Sequence, residues 1–194
     1  MNTPQIKIYP PPPVDLCEIL RYAGSKTADP AVCALLSECL SEVQPGLCYR
    51  VCFLELPVAV TEDTCVLGAV SFHSRDLAAH LRGSASAVIF AATVGVEPDR
   101  LLLRYSRLSP ARALLLQAIG AERIEALCDV FCDDIVGARA RFSPGYGDLP
   151  LHTQRDLFRL LQPEKHIGVT LNDSLLMSPA KSVTAIAAPV RKKQ

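Results

Sequence analysis

From residue 98 to residue 139 the apolar residues recur at helical spacing almost without a break, and a run of that length constrains the fold more than any other part of the chain. Proline disfavours helix in the residue before it, so Ser109-Pro110 divides the run. The segment after Pro110 is expected to form one long central helix. A chain of 194 residues can bury a sizeable core around such a helix within a single domain.

Shorter helices are predicted over 14–22, 30–43, 74–81 and 153–161. Asp29 is suited to N-cap the second with Pro30 in its first turn, and Ser74 to cap the third with Asp76 near the positive end of its dipole. Residues 47–56 and 64–70 are rich in Val, Leu, Cys and aromatic side chains, with Pro57 and acidic turn residues between them, as antiparallel strands would be. Ala87-Val88-Ile89-Phe90-Ala91-Ala92-Thr93-Val94-Gly95 reads as a buried strand, and 167–171 and 182–188 are two further apolar stretches. The expected fold is α+β, an antiparallel β-sheet with flanking helices including the long central one. Three parts are expected: an extended arm over 1–13 ending in four prolines that lack amide donors, one domain over 14–190, and a frayed basic tail over 191–194.

Lys plus Arg equal Asp plus Glu at 20 each, so no global field draws the protein to nucleic acid or to an anionic membrane. No apolar run approaches the roughly 20 residues that span a bilayer, and the first residues lack a signal-peptide pattern. Neither nucleic acid nor membrane is an expected partner, and the expected location is the cytoplasm. Cys48-x3-Cys52 and Cys128-x3-Cys132 have a spacing that zinc sites use, but the first lies in a strand-like run and the second in an amphipathic helix without a nearby histidine, and the eight cysteines are expected to be mostly buried thiols. His73, His80, His152 and His166 are dispersed, and there is no nucleophile elbow, phosphate loop or dinucleotide fingerprint.

Against this background the loop Arg141-Phe142-Ser143-Pro144-Gly145-Tyr146-Gly147-Asp148-Leu149-Pro150 stands out. Arg141 offers a planar fork for a carboxylate or phosphate, Gly145 permits close approach to the backbone, and Tyr146 supplies a π face and a hydroxyl. The alternative is an ordered connection with Arg141 paired to an acidic side chain and Tyr146 in the core.

Arg141-x-x-Pro144-Gly145-Tyr146, followed by Pro150, His152 and Thr153, resembles the loop of the activation domain of vitamin B12-dependent methionine synthase. The likeness continues through Glu164-Lys165-His166-x-Gly168-Val169-x-Leu171 and Met177-Ser178-Pro179-Ala180-Lys181-Ser182-Val183, and upstream through Arg21-Tyr22-Ala23-Gly24, Ser74-Arg75-Asp76-Leu77-x-x-His80-Leu81 and Ala91-Ala92-Thr93-Val94-Gly95. It covers most of the chain, as a short, free-standing form.

The resemblance implies binding of S-adenosylmethionine, with Arg141 on the ligand carboxylate, the Ser143, Pro144 and Gly145 backbone along the adenosyl part, Tyr146 beside the methionyl end and Glu125 near the ammonium. It further implies docking on a cobalamin-carrying methionine synthase that lacks its own activation domain, while cob(II)alamin held by that partner is reduced and remethylated. A flavodoxin-type protein is the implied electron donor. Two departures stand out: Gly147-Asp148-Leu149 replaces a more usual Pro-Ala-Cys, and an aromatic-bearing segment that follows Val183 in longer members has no counterpart here. A ligand-free interaction module for a corrinoid protein and a thiol-based redox enzyme are the other readings.

Overall fold

The computed structural model describes residues 3–25 and 29–190. In chain order the elements are β1 (Gln5–Ile8), α1 (Leu16–Tyr22), α2 (Pro30–Val43), β2 (Arg50–Val60), β3 (Thr64–Leu67), β4 (Val70–His73), α3 (Arg75–Leu81) and β5 (Ser86–Thr93). They continue with α4 (Glu97–Leu108), α5 (Pro110–Phe131), α6 (Gln154–Leu161), α7 (Pro163–Ile167), β6 (Thr170–Leu171), β7 (Met177–Ser178) and β8 (Ser182–Ala187). The long helical run divides at Ser109, as its proline predicts, and α5 is prolonged by a π-helical turn over Cys132–Val136 that stops at Gly137 in the left-handed conformation. The basic tail 191–194 lies outside the described residues.

The main sheet is antiparallel throughout, in the order β4-β3-β2-β5-β8, with β1 on the same edge of β2 as β3. Two strand expectations are corrected. Pro57 does not end β2, because it stands where β2 hands over from β5 (Pro57↔Ser86) to β3 (Val58↔Leu67), a position where its missing amide costs no ladder bond. The stretch 64–70 is not one strand: Gly68, at φ +59°, turns it into a hairpin between β3 and β4. Of 167–171 only Thr170–Leu171 is strand; Ile167 closes α7.

Both faces of the sheet are covered, which explains why β5 reads as an unbroken apolar run. Cys52, Leu54, Ile89, Ala91 and Ile186 pack on Leu77, Leu81, Leu157, Phe158 and Leu161 of α3 and α6. On the other face Val51, Phe53, Phe90 and Ala185 meet Ile124, Leu127 and Phe131 of α5, with the Phe131 ring 5.3 Å from Phe53 and 4.7 Å from Phe90. The first half of α5 belongs to a different cluster, in which Leu115, Leu116 and Ile119 pack with Ile19 of α1, Leu36 and Cys39 of α2 and Leu101 of α4. One helix therefore joins a helical bundle to the sheet.

The N-terminal arm is more than an extended leader. Gln5–Ile8 pairs with Arg50–Phe53 of β2, and Tyr9 donates from its hydroxyl to Asp134 at 2.8 Å. Pro12 is buried. The prolines lack donors but keep acceptors, and the Pro12 and Pro13 carbonyls each accept from the Arg123 guanidinium at 2.7 Å. Arg123, only 1% exposed, also holds Glu122 through two bonds of 2.5 Å, and Glu122 accepts from the Asp15 amide at 3.1 Å. A buried ion pair on α5 thus clamps the arm.

Candidate functional site

Past the π-helical turn the chain doubles back, and the Arg141 side chain lies along α5. Its Nη1 donates to Asp129 at 2.8 Å and its Nη2 to Glu125. Those two carboxylates are four residues apart and share a helix face. The Arg141 side chain is 17% exposed, so this pairing is partly screened from solvent. Burial acts against its charge, but Cys128 and the two carboxylates together raise its pKa above the ordinary arginine value, so it is a fixed cation.

The rest of the loop is tied down at three points. Phe142 exchanges both backbone hydrogen bonds with Ile186 of β8, each 2.8 Å, and its ring lies 5.9 Å from that of His80. Between Ser143 and Leu149 the chain turns on itself, with the Tyr146 amide donating to Ser143 and the Gly145 amide to Leu149. Finally, the Asp148 carboxylate accepts from the Ser74 hydroxyl and from the Arg75 and Asp76 amides at the start of α3, while the Asp148 amide donates to Asp76 at 3.2 Å. Both departures from the usual loop have a place here. Asp148 supplies this cap, and Gly147 leaves room for Asp76, which a β-carbon would strike.

The Ser74 hydroxyl does most to hold the Asp148 carboxyl below the usual aspartate range; burial opposes it, and the Arg75 and Asp76 amides add to it. A carboxylate whose folded pKa is depressed stabilises the fold above its unfolded pKa of about 3.9, and that contribution is lost as pH falls through the folded value. Protection of the Arg75 amide against hydrogen exchange, corrected for intrinsic rates, is therefore expected to fall between about pH 6 and about pH 3. Asp148→Asn should flatten that dependence; equal protection in the native chain at both pH values would contradict the assignment.

Glu125, Arg141, Phe142, Ser143, Pro144 and Tyr146 line one cavity of about 560 Å³, closed elsewhere by Gln154, Met177, Ser182, Val183 and Thr184. Five of the six residues singled out in the sequence meet there. Gly145 is not in the lining; at φ +90° it shapes the turn instead. Tyr146 is 69% exposed and stands at the mouth, not in the core. Glu125 and Arg141 also face a second cavity of about 400 Å³, where Asp15, Glu18 and Tyr22 approach from the arm and α1. Gln154 and the β8 residues could not be picked out from the sequence, because polar or small residues at element ends carry no periodic signal.

Among the described residues no group of three or more His, Cys, Asp or Glu side chains is arranged to hold a metal. Cys52, Cys128 and Cys132 are buried, and burial pushes their thiols up, that of Cys52 to about 12. Such thiols are poor nucleophiles. His152 and His166 do not line the cavity. No helix among the described residues is long and apolar enough to cross a membrane.

Residues 131–192 match the family model of the vitamin B12-dependent methionine synthase activation domain. The fold is similar to that of a solved structure of the MetH reactivation domain bound to AdoHcy, with a TM-score of 0.67 at 16% identity over 90% of this chain and 70% of that one. The resemblance read from the sequence is borne out on both counts: the matched segment contains the loop Arg141 to Pro150, and the curled antiparallel sheet with its long central helix is the reactivation-domain fold.

Proposed function

We propose that this chain binds S-adenosylmethionine in the 560 Å³ cavity and presents it to a cobalamin held by a partner methionine synthase, as that enzyme's activation module. The observation that carries the reading is the Arg141–Glu125 pair on the cavity wall, with Arg141 inside the segment that matches the activation-domain family. An α-amino acid head group brings both a carboxylate and an ammonium. It can take Arg141 with the one and Glu125 with the other, so that both charges exchange partners and neither is stranded. A simple anion would leave Glu125 without its cation. The neighbour's bound AdoHcy is a ligand with such a head group.

When bound, S-adenosylmethionine supplies a methyl group on a sulfonium centre. The residues of this chain contribute positioning: Arg141 and Glu125 fix the head group, the turn from Ser143 to Tyr146 bounds the ligand, and Asp129 keeps Arg141 aimed. No side chain in the lining has the arrangement of a nucleophile with its base, and the chemistry resides in the ligand and in the partner's corrinoid. A flavodoxin-type donor would supply the electron to the partner.

Isothermal titration with S-adenosylmethionine and with S-adenosylhomocysteine, alone and in the presence of a corrinoid-loaded methionine synthase, tests this. Weak binding alone and tighter binding with the partner are expected; no heat in either setting would reject the ligand. One observation favours a second reading: Asp129 and Glu125 satisfy Arg141 without any ligand. A ligand-free module would still form a normal complex with the corrinoid protein in the Arg141→Ala and Tyr146→Ala variants.

A further inference from the structure

Resting on the adenosyl-ligand reading above, we infer that Gln154 is the residue that selects the base of the ligand, its amide oxygen accepting a hydrogen bond from the exocyclic amine of adenine. Gln154 opens α6 and is only 4% exposed, yet it lines the same cavity as Arg141 and Glu125. Its place is set by the helix it begins, since Leu157, Phe158 and Leu161 of α6 are packed into the core.

The orientation of the amide is fixed from outside the cavity. Nε2 donates to the Leu175 carbonyl at 3.4 Å, and a carbonyl can only accept, so the reversed amide would set two acceptors against each other. That carbonyl belongs to a turn held by its own bonds, Leu175 amide to Asn172 carbonyl at 3.0 Å and Leu176 amide to Asn172 Oδ1 at 2.9 Å. The oxygen, Oε1, has no partner among the described residues. Nor is it sealed in the interior: the one fully buried side-chain polar atom without a partner among the described residues is His80 Nε2. With Gln154 in the cavity lining, Oε1 is the acceptor it can offer there.

An acceptor held in a fixed orientation on the cavity wall favours a ligand group that supplies an N–H there over one that presents an oxygen. Gln154 belongs to α6, whereas Glu125 belongs to α5 and Arg141 to the loop that follows it, so the acceptor and the charged pair come from separate walls. A ligand with an amino-acid head at one end and a neutral donor at the other satisfies both. Adenine offers such a donor in its exocyclic amine, the group that carboxamides also read in nucleic acids. Hypoxanthine carries a carbonyl at the same position and would set oxygen against oxygen.

The test compares S-adenosylhomocysteine with S-inosylhomocysteine, which share ribose and head group, by titration against the native chain and the Gln154→Met variant. The native chain is expected to prefer the adenosyl compound by at least about tenfold. Gln154→Met, close in volume but without the acceptor, should bind the adenosyl compound more weakly and lose the preference. The preference of the native chain is itself decisive, which leaves the inference falsifiable even where the methionine variant fails to fold. No preference in the native chain, or an undiminished preference in Gln154→Met, would each overturn the role of Gln154 while leaving adenosyl binding intact. Failure of the native chain to bind either compound would instead remove the adenosyl reading, and this inference with it.

Discussion

Arg123→Ala is expected to lower the unfolding free energy by about 3–5 kcal/mol, because it leaves the Glu122 side chain buried without its partner. Glu122 and Arg123 are 3% and 1% exposed, and Arg123 also supplies the donors for the Pro12 and Pro13 carbonyls. Burial opposes the Arg123 charge, but Glu122 and Tyr49 raise its pKa above the ordinary arginine value, so the guanidinium stays charged when folded. Urea denaturation of the native and variant chains measures the loss, and a change below about 1 kcal/mol would show the pair to be dispensable. The double replacement Glu122→Leu, Arg123→Met should recover much of the stability, since apolar side chains of similar volume often match a buried ion pair. It should not recover the arm, whose Pro12 and Pro13 carbonyls would still lack donors. Limited proteolysis within residues 3–13 would report that difference.

Arg141→Ala is expected to weaken binding of S-adenosylhomocysteine by about a hundredfold or more, roughly 3 kcal/mol, in the range for removing one partner of a hydrogen-bonded charge pair. Its effect on stability should be much smaller, since Glu125 and Asp129 are 45% and 33% exposed and can turn to water. Arg141→Lys separates charge from geometry. Lysine keeps the cation but cannot hold a ligand carboxylate with two parallel donors, so an intermediate loss is expected. Titration at matched ionic strength decides the matter, and binding of native strength in Arg141→Ala would detach the loop from ligand recognition altogether.

The helices could be read because their signals are local. Asp29 and Ser74 each accept from an amide in the first turn they cap, and Pro110 starts α5. Four of the five apolar stretches ended inside the sheet or its hairpin, but their pairing could not be read, since Val88, Phe90 and Ala92 face α5 while Ile89 and Ala91 face α6, and a strand buried on both faces shows no alternation. The arm misled for a related reason: absent donors were legible in the prolines, whereas their use as acceptors depends on Arg123, more than a hundred residues away. At the site, Arg141 and Tyr146 were visible as loop chemistry and Glu125 through family likeness. That Arg141 rests on Glu125 and Asp129 is tertiary information. So is Gln154, an ordinary polar residue at the start of an ordinary helix, distinguished only by where the turn at Leu175 points its amide.

β8 pairs with β5 across roughly ninety residues of chain, Val88 with Ala187 and Thr93 with Ser182, and it also supplies Ser182, Val183 and Thr184 to the cavity and Ile186 to the loop. During synthesis the helices and the β2–β5 ladder can form as they leave the ribosome, but the cavity beside Arg141 cannot exist until β8 has emerged. Until then β5 is paired with β2 on one side only, and its other edge is an open apolar one, the kind of surface on which nascent chains aggregate. β8 is thus both a wall of the cavity beside Arg141 and the cover that renders the rest of the sheet safe.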